Sequence, residues 1–248
     1  MIAAIGEARR MDGGFGGLAL AVAAQAVARG SSAAMLGPVS QDEEGRAILE
    51  YMVDHWVMFD PDLAQNPLPS AQVAMSLTKE GLANALKVNS DIRLAYVGGV
   101  PLTGSTGGAI LAALDACIPE PMVMLEPAET TEDEDRLLQV LSGADLVKLT
   151  EKELSLLCPG TGDEAALAML GKRLGIRDIW LRGKSRQLWW DQAGWTVESP
   201  VSDKPGLESG TVAASLHDGG CFGQDGQKPD YHMSIEAVRK ALEACCEA

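Results

Sequence analysis

Short apolar runs alternate along the chain with longer stretches whose apolar positions recur at helical spacing. The short runs, bounded by Gly, Pro or Asp, read as strands buried on both faces, and the longer stretches as amphipathic helices. Strands are predicted over residues 2–5, 32–36, 94–98, 122–125, 146–149, 179–182 and 188–190, the last opening a hairpin through Gly194 to Val197. Helices are predicted over 17–29, 43–52, 108–117, 132–141, 152–157, 163–174, 210–216 and 235–246. Gly30 and Gly175 stand where helices should stop. The acids after Gln41 suit a helix N-terminus. Residues 71–78 and 86–89 read as strands of a smaller sheet, and 217–229, rich in Gly and Asp, as loop. Such alternation predicts an α/β fold, a central and mostly parallel sheet covered by helices. At 248 residues the whole of 1–248 forms a single domain, with 71–90 supplying the small sheet.

Charge narrows the partners. A net charge of −15 repels phosphate backbones and anionic lipid, which predicts neither a nucleic-acid nor a membrane-surface partner. No apolar run reaches the length of a membrane span. The opening Met1-Ile-Ala-Ala-Ile-Gly lacks the basic flank and long apolar stretch of a signal peptide. The five cysteines form neither an even framework nor a metal-ligand spacing, and adjacent Cys245 and Cys246 read as helix residues. A reduced, cytoplasmic setting is the expectation.

Several motifs imitate known chemistry. Gly14-Phe-Gly16-Gly-Leu-Ala19 fits G-x-G-x-x-A, but Arg9-Arg-Met-Asp12 separates it from the preceding strand, where a dinucleotide site needs the strand to end at the first glycine. Gly183-Lys-Ser185 lacks the earlier glycine and the following helix of a phosphate loop, and reads as a hairpin turn. His55, His217 and His232 lie in separate segments without ligand spacing. In Trp189-Trp190, strand alternation puts one ring inward and one outward.

The order of a further set of segments resembles the ribokinase-like PfkB carbohydrate kinases. The opening strand running into Gly6-Glu7 is similar to that family's first strand. Gly16 and Gly17, followed by an Ala-rich helix ending in Gly30, resemble its Gly-Gly signature, with Ala21 where the family places an Asn that holds substrate hydroxyls. The stretch from Ala33 to Gly45 resembles its Gly-x-Val-Gly-x-Asp-x-x-Gly block. Met124-Leu-Glu126-Pro127-Ala128 stands where a strand normally ends in Asp-Pro-Asn. Ala144 to Glu153 resembles the segment whose Asn and Glu organise water around Mg²⁺ and phosphate; Thr150 replaces the Asn and Glu153 remains, either in that indirect metal role or as a solvated helix glutamate. Trp180 to Lys184 occupies the place of the nucleotide turn that includes Gly183, with Arg182 and Arg186 at positions usually rich in Gly.

Asp203-Lys-Pro-Gly206-Leu-Glu208-Ser209-Gly210 resembles the catalytic signature, in which glycine N–H groups at a helix start form an anion hole and an Asp is the general base. Gly206 remains, Glu208 replaces the second glycine and Ser209 replaces the base, and the resemblance makes Gly206 and Gly210 the candidate anion-hole residues. A neutral hydroxyl cannot deprotonate a substrate alcohol near pH 7, and loss of such a base costs about 10²–10⁴-fold. A carboxylate about 4 Å from phosphate at an effective dielectric of about 20 adds roughly 4 kcal/mol of repulsion. Ser209 reads instead as a helix N-cap.

The resemblance implies a three-layer α/β/α sandwich with a reduced β lid, since only residues 8–15 separate the opening strand from Gly16-Gly17. It implies a carbohydrate-kinase homologue of impaired or absent activity, kept for binding a ligand or a protein partner. The alternative is an active ATP- and Mg-dependent phosphotransferase acting on a sugar or nucleoside, with Glu208 as a displaced base. Exposed strand edges between residues 71 and 89 would allow a homodimer.

Overall fold

The computed structural model describes residues 1–11, 14–66, 79–89, 91–99, 105–117, 120–127, 134–201, 205–218 and 235–246. The first half contains β1 (Ile2–Gly6), β2 (Arg9–Met11), β3 (Gly14–Gly16), α1 (Leu18–Ala28), β4 (Ala33–Leu36), β5 (Val39–Ser40) and α2 (Glu43–Asp54). It continues through β6 (Met58–Phe59), α3 (Pro61–Ala64), β7 (Gln65–Asn66), α4 (Lys79–Val88), β8 (Leu94–Gly98) and α5 (Ser105–Leu114). The second half contains β9 (Met122–Glu126), α6 (Glu134–Leu141), β10 (Leu146–Thr150), α7 (Glu151–Leu157) and α8 (Asp163–Leu174). It closes with β11 (Asp178–Arg182), β12 (Arg186–Asp191), β13 (Thr196–Pro200), α9 (Pro205–Asp218) and α10 (Ile235–Cys246).

The main sheet runs β13-β12-β11-β10-β9-β8-β1-β4-β6. From β11 across to β6 every neighbour is parallel, and β12 and β13 add an antiparallel hairpin at one edge. Strand alternation divides the core cleanly. Ala3, Ile5, Val97, Leu125, Leu149 and Leu181 face α4–α8. Ile2, Ala4, Tyr96, Met124, Leu146 and Trp180 face α1, α2, α9 and α10. Helices therefore cover both faces, giving a three-layer α/β/α sandwich. β1 is the switch point, with β4 on one side and β8 on the other, so a crevice opens beyond the carboxyl ends of these strands.

Local signals account for most element ends. Asp42 caps α2 by accepting the Gly45 N–H at 2.9 Å. Gly175 ends α8 in the left-handed region at φ 71°. Three expectations fail. Leu86 lies in a helix rather than a strand, because its apolar face with Leu82 and Ala85 packs onto the sheet; the strand expected over 71–78 lies outside the described residues. The helix expected to begin at Gly210 begins at Pro205, which suits a first helical position, so Ser209 sits inside α9 and is not its N-cap. Trp189 and Trp190 do point to opposite faces, yet both are buried, because each face carries a helical layer. The strands described outside the main sheet are the β2–β3 hairpin and the β5–β7 pair.

Candidate active site

Glu126 ends β9, Lys148 lies at the middle of β10 and Arg182 ends β11, so three adjacent parallel strands deliver charged side chains to one place. The first turns of α9 bring Glu208 and Ser209 to the same point, and both are fully buried. Ser209 Oγ donates to Glu126 Oε2 at 2.7 Å and accepts from Lys148 Nζ at 2.8 Å. Lys148 Nζ also lies 3.1 Å from Glu126 Oε1 and 3.7 Å from Glu208 Oε2. Arg182 Nε donates to Glu208 Oε2 at 2.9 Å. Two cations thus face two carboxylates at the point where the catalytic signature was expected.

Neighbours fix the geometry. Tyr96 donates its hydroxyl to Glu126 Oε2 at 2.8 Å, and burial followed by the Glu126 charge holds its phenol well above the ordinary range, so it remains a donor. Its reach depends on Gly98: a Cβ there would collide with the Tyr96 hydroxyl. Lys148 Nζ stands 4.5 Å from the centroid of the Trp180 ring, a favourable cation–π placement. That ring is held by Trp180 Nε1 donating to Gln187 Oε1 at 2.8 Å, while Gln187 Nε2 donates to the Pro200 carbonyl at 2.7 Å.

The other anticipated residues are more scattered. Gly206 lies in the first turn of α9, where backbone N–H groups have no intrahelical acceptor. Gly210 lies one turn deeper, and a Cβ on it would come within 2.6 Å of Gln25 Cβ and 2.9 Å of the Val22 carbonyl. Its smallness lets α9 pack against α1. Gly183 is in the β11–β12 turn and its N–H donates to the Arg186 carbonyl at 3.0 Å. Arg186 is exposed and pairs with Asp163 and Glu198, away from the cluster. Gly16 ends β3. Gly17 precedes α1 at φ 93°, and any Cβ there would meet the Glu7 backbone. Ala21 is in α1, where a methyl can hold no hydroxyl. Glu153 is buried, contrary to the solvated reading, and its Oε2 accepts the Thr150 N–H at 2.7 Å and the Thr150 hydroxyl at 2.9 Å in a capping box. Among the described residues, no group of three or more His, Cys, Asp or Glu is placed to hold a metal ion. Ala128 lies outside the described residues.

Sequence reasoning missed the roles of Lys148, Tyr96 and Glu126. The available signal was a lysine and a tyrosine at strand positions that must point into a covered face. A buried charge there demands a counter-charge.

No family model matches the chain, and no curated protein does. Solved structures do match. Ribokinase from Giardia lamblia superposes at TM-score 0.76 with 16% identity, covering 99% of this chain and 91% of its own. Fructokinase with bound ATP from Xylella fastidiosa gives 0.74 and 15%, over 99% and 90%. Aminoimidazole riboside kinase from Salmonella enterica, complexed with aminoimidazole riboside and an ATP analog, gives 0.70 and 16%, over 99% and 91%. The fold is ribokinase-like across nearly the whole chain.

Proposed function

We propose that this chain is a carbohydrate-kinase homologue whose phosphoryl-transfer centre has become an internal ion-pair core, leaving catalysis impaired or absent and the fold kept for binding a ligand or a protein partner. One observation carries the reading: the Ser209 hydroxyl, at the place of the general base, is buried and clamped between Lys148 and Glu126. The expected repulsion between Glu208 and phosphate changes form. Glu208 is fully buried and neutralised by Arg182 and Lys148, so the obstacle is an occupied site rather than a free negative charge.

The donor set does not fit the terminal phosphate of Mg-ATP at this point. The positive charges of Lys148 and Arg182 are matched by Glu126 and Glu208, and the retained Glu153 is engaged by Thr150. Gly183 and Gly210 have their N–H groups taken up by a turn and a helix interior.

A second reading has one observation in its favour. Glu126 Oε2 lies 2.7 Å from the Ser209 hydroxyl, which puts a carboxylate within hydrogen-bond reach of the residue that the resemblance sets in the place of the base. With Glu126 as base, in place of Glu208, the chain would phosphorylate a hydroxyl of a sugar or nucleoside.

Melting curves with and without Mg-ATP, together with ADP release over a panel of sugars and nucleosides, separate the two. Ligand binding to the folded state raises Tm by mass action. The first reading expects turnover absent or reduced to a trace, and no rise in Tm with Mg-ATP. Turnover lost in Glu126→Gln would overturn it and establish the second.

A further inference from the structure

Three local rules are broken together at the C-terminal end of α2. The helix closes with Trp56 N–H donating to the Val53 carbonyl at 3.1 Å and Val57 N–H to the Met52 carbonyl at 2.9 Å. That closure requires a left-handed residue, ordinarily glycine; here it is Trp56 at φ 58°. Its indole is 84% exposed, next to Val53 at 62% and Met58 at 43%. Finally, the helix carries no basic side chain in its last turn, where the carbonyl end favours one, and ends instead on Asp54. Among the described residues neither Glu50 nor Asp54 forms an ion pair.

Strain, wetted apolar surface and uncompensated negative charge are each unfavourable, and their coincidence at one corner points to a surface shaped by something other than folding. A largely open depression of about 430 Å³ lies there, lined among the described residues by Leu49, Glu50, Val53 and Asp54. Among the described residues β6, which holds Met58, is the last strand at that edge of the sheet.

We infer that this corner is a docking surface for a cationic amphipathic helix of another protein. Its apolar side chains lie on Leu49, Val53 and Trp56, while its lysines or arginines face Glu50, Asp54 and the carbonyl end of α2. A second copy of this chain is the poorer occupant, because a net charge of −15 on each brings like charges together. The inference does not depend on whether the cleft beneath α9 is active.

The probe is a labelled synthetic helix of leucine and lysine with leucines on one face, compared with its leucine–glutamate counterpart, read by fluorescence anisotropy against the full chain without nucleotide. Trp56→Gly removes the ring and relieves the backbone, so its Tm should equal or exceed that of the parent. The expected result is lysine-helix binding weakened at least about tenfold by Trp56→Gly and by Glu50→Lys with Asp54→Lys, a loss of about 1.4 kcal/mol or more, and no binding of the glutamate helix. Equal binding to the parent and both variants, or none to the parent, overturns the inference. So does a dimer in sedimentation that Trp56→Gly dissolves, since the occupant would then be a second copy.

Discussion

Asp178 gives the sharpest prediction. It opens β11 with its carboxyl 1% exposed, accepting the Trp189 indole N–H at 2.7 Å. Asp191 is its cross-strand partner. Burial is the main cause that pushes this carboxyl from 3.8 up to about 7; the Trp189 bond and Arg177 lower it, and Asp191 and Asp145 raise it. Each tenfold step in acidity is worth about 1.4 kcal/mol, so holding Asp178 ionised in the folded chain costs about 4 kcal/mol at pH 8. The sign follows from proton counts. Between about pH 4 and about pH 7 the folded chain keeps a proton that the unfolded chain has released, so stability falls as pH rises through that window. Asp178→Asn keeps an oxygen for Trp189 and removes the charge. Urea unfolding at a series of pH values should show the variant gaining about 3 kcal/mol relative to the parent between pH 5 and pH 8. The accompanying Tm difference should widen by roughly 5–10 °C. Parallel stability curves for the two proteins would refute the argument that Asp178 is held neutral by burial.

Two further outcomes follow from the packing. Lys148→Met leaves Glu208 with Arg182 but Glu126 with only the Tyr96 and Ser209 hydroxyls and no cation, and breaking such a buried pair should cost about 3–5 kcal/mol in urea unfolding; adding Glu126→Gln should recover a clear part of it, and a purely additive double variant would show that the two side chains do not interact. Gly210→Ala drives a methyl into Gln25 and the Val22 carbonyl, so α9 must lift from α1 at about 1–3 kcal/mol, whereas an unchanged Tm would mean the two helices part freely.

Local patterning determined the layered fold. The runs at 94–98 and 122–125 became β8 and β9 because a short apolar segment bounded by breakers has few alternatives when helices cover both faces. The helices at 163–174 and 235–246 were equally legible, since their apolar spacing fits the 3.6-residue repeat. The order of the glycine-rich segments also carried the resemblance to sugar kinases, which the superpositions bear out at the level of fold.

What the sequence left open was set by partners distant along the chain. Leu86 became helical because of the sheet beneath it, an interaction no window of neighbours contains. Glu208 and Ser209 could be read as replacements, but not as members of a network, because Lys148 lies 61 residues from Ser209 and Glu126 lies 83 residues away. Periodicity says which face a side chain takes; only the packing of three strand ends against α9 decides which charges meet there, and so whether the site holds a phosphate or its own ions.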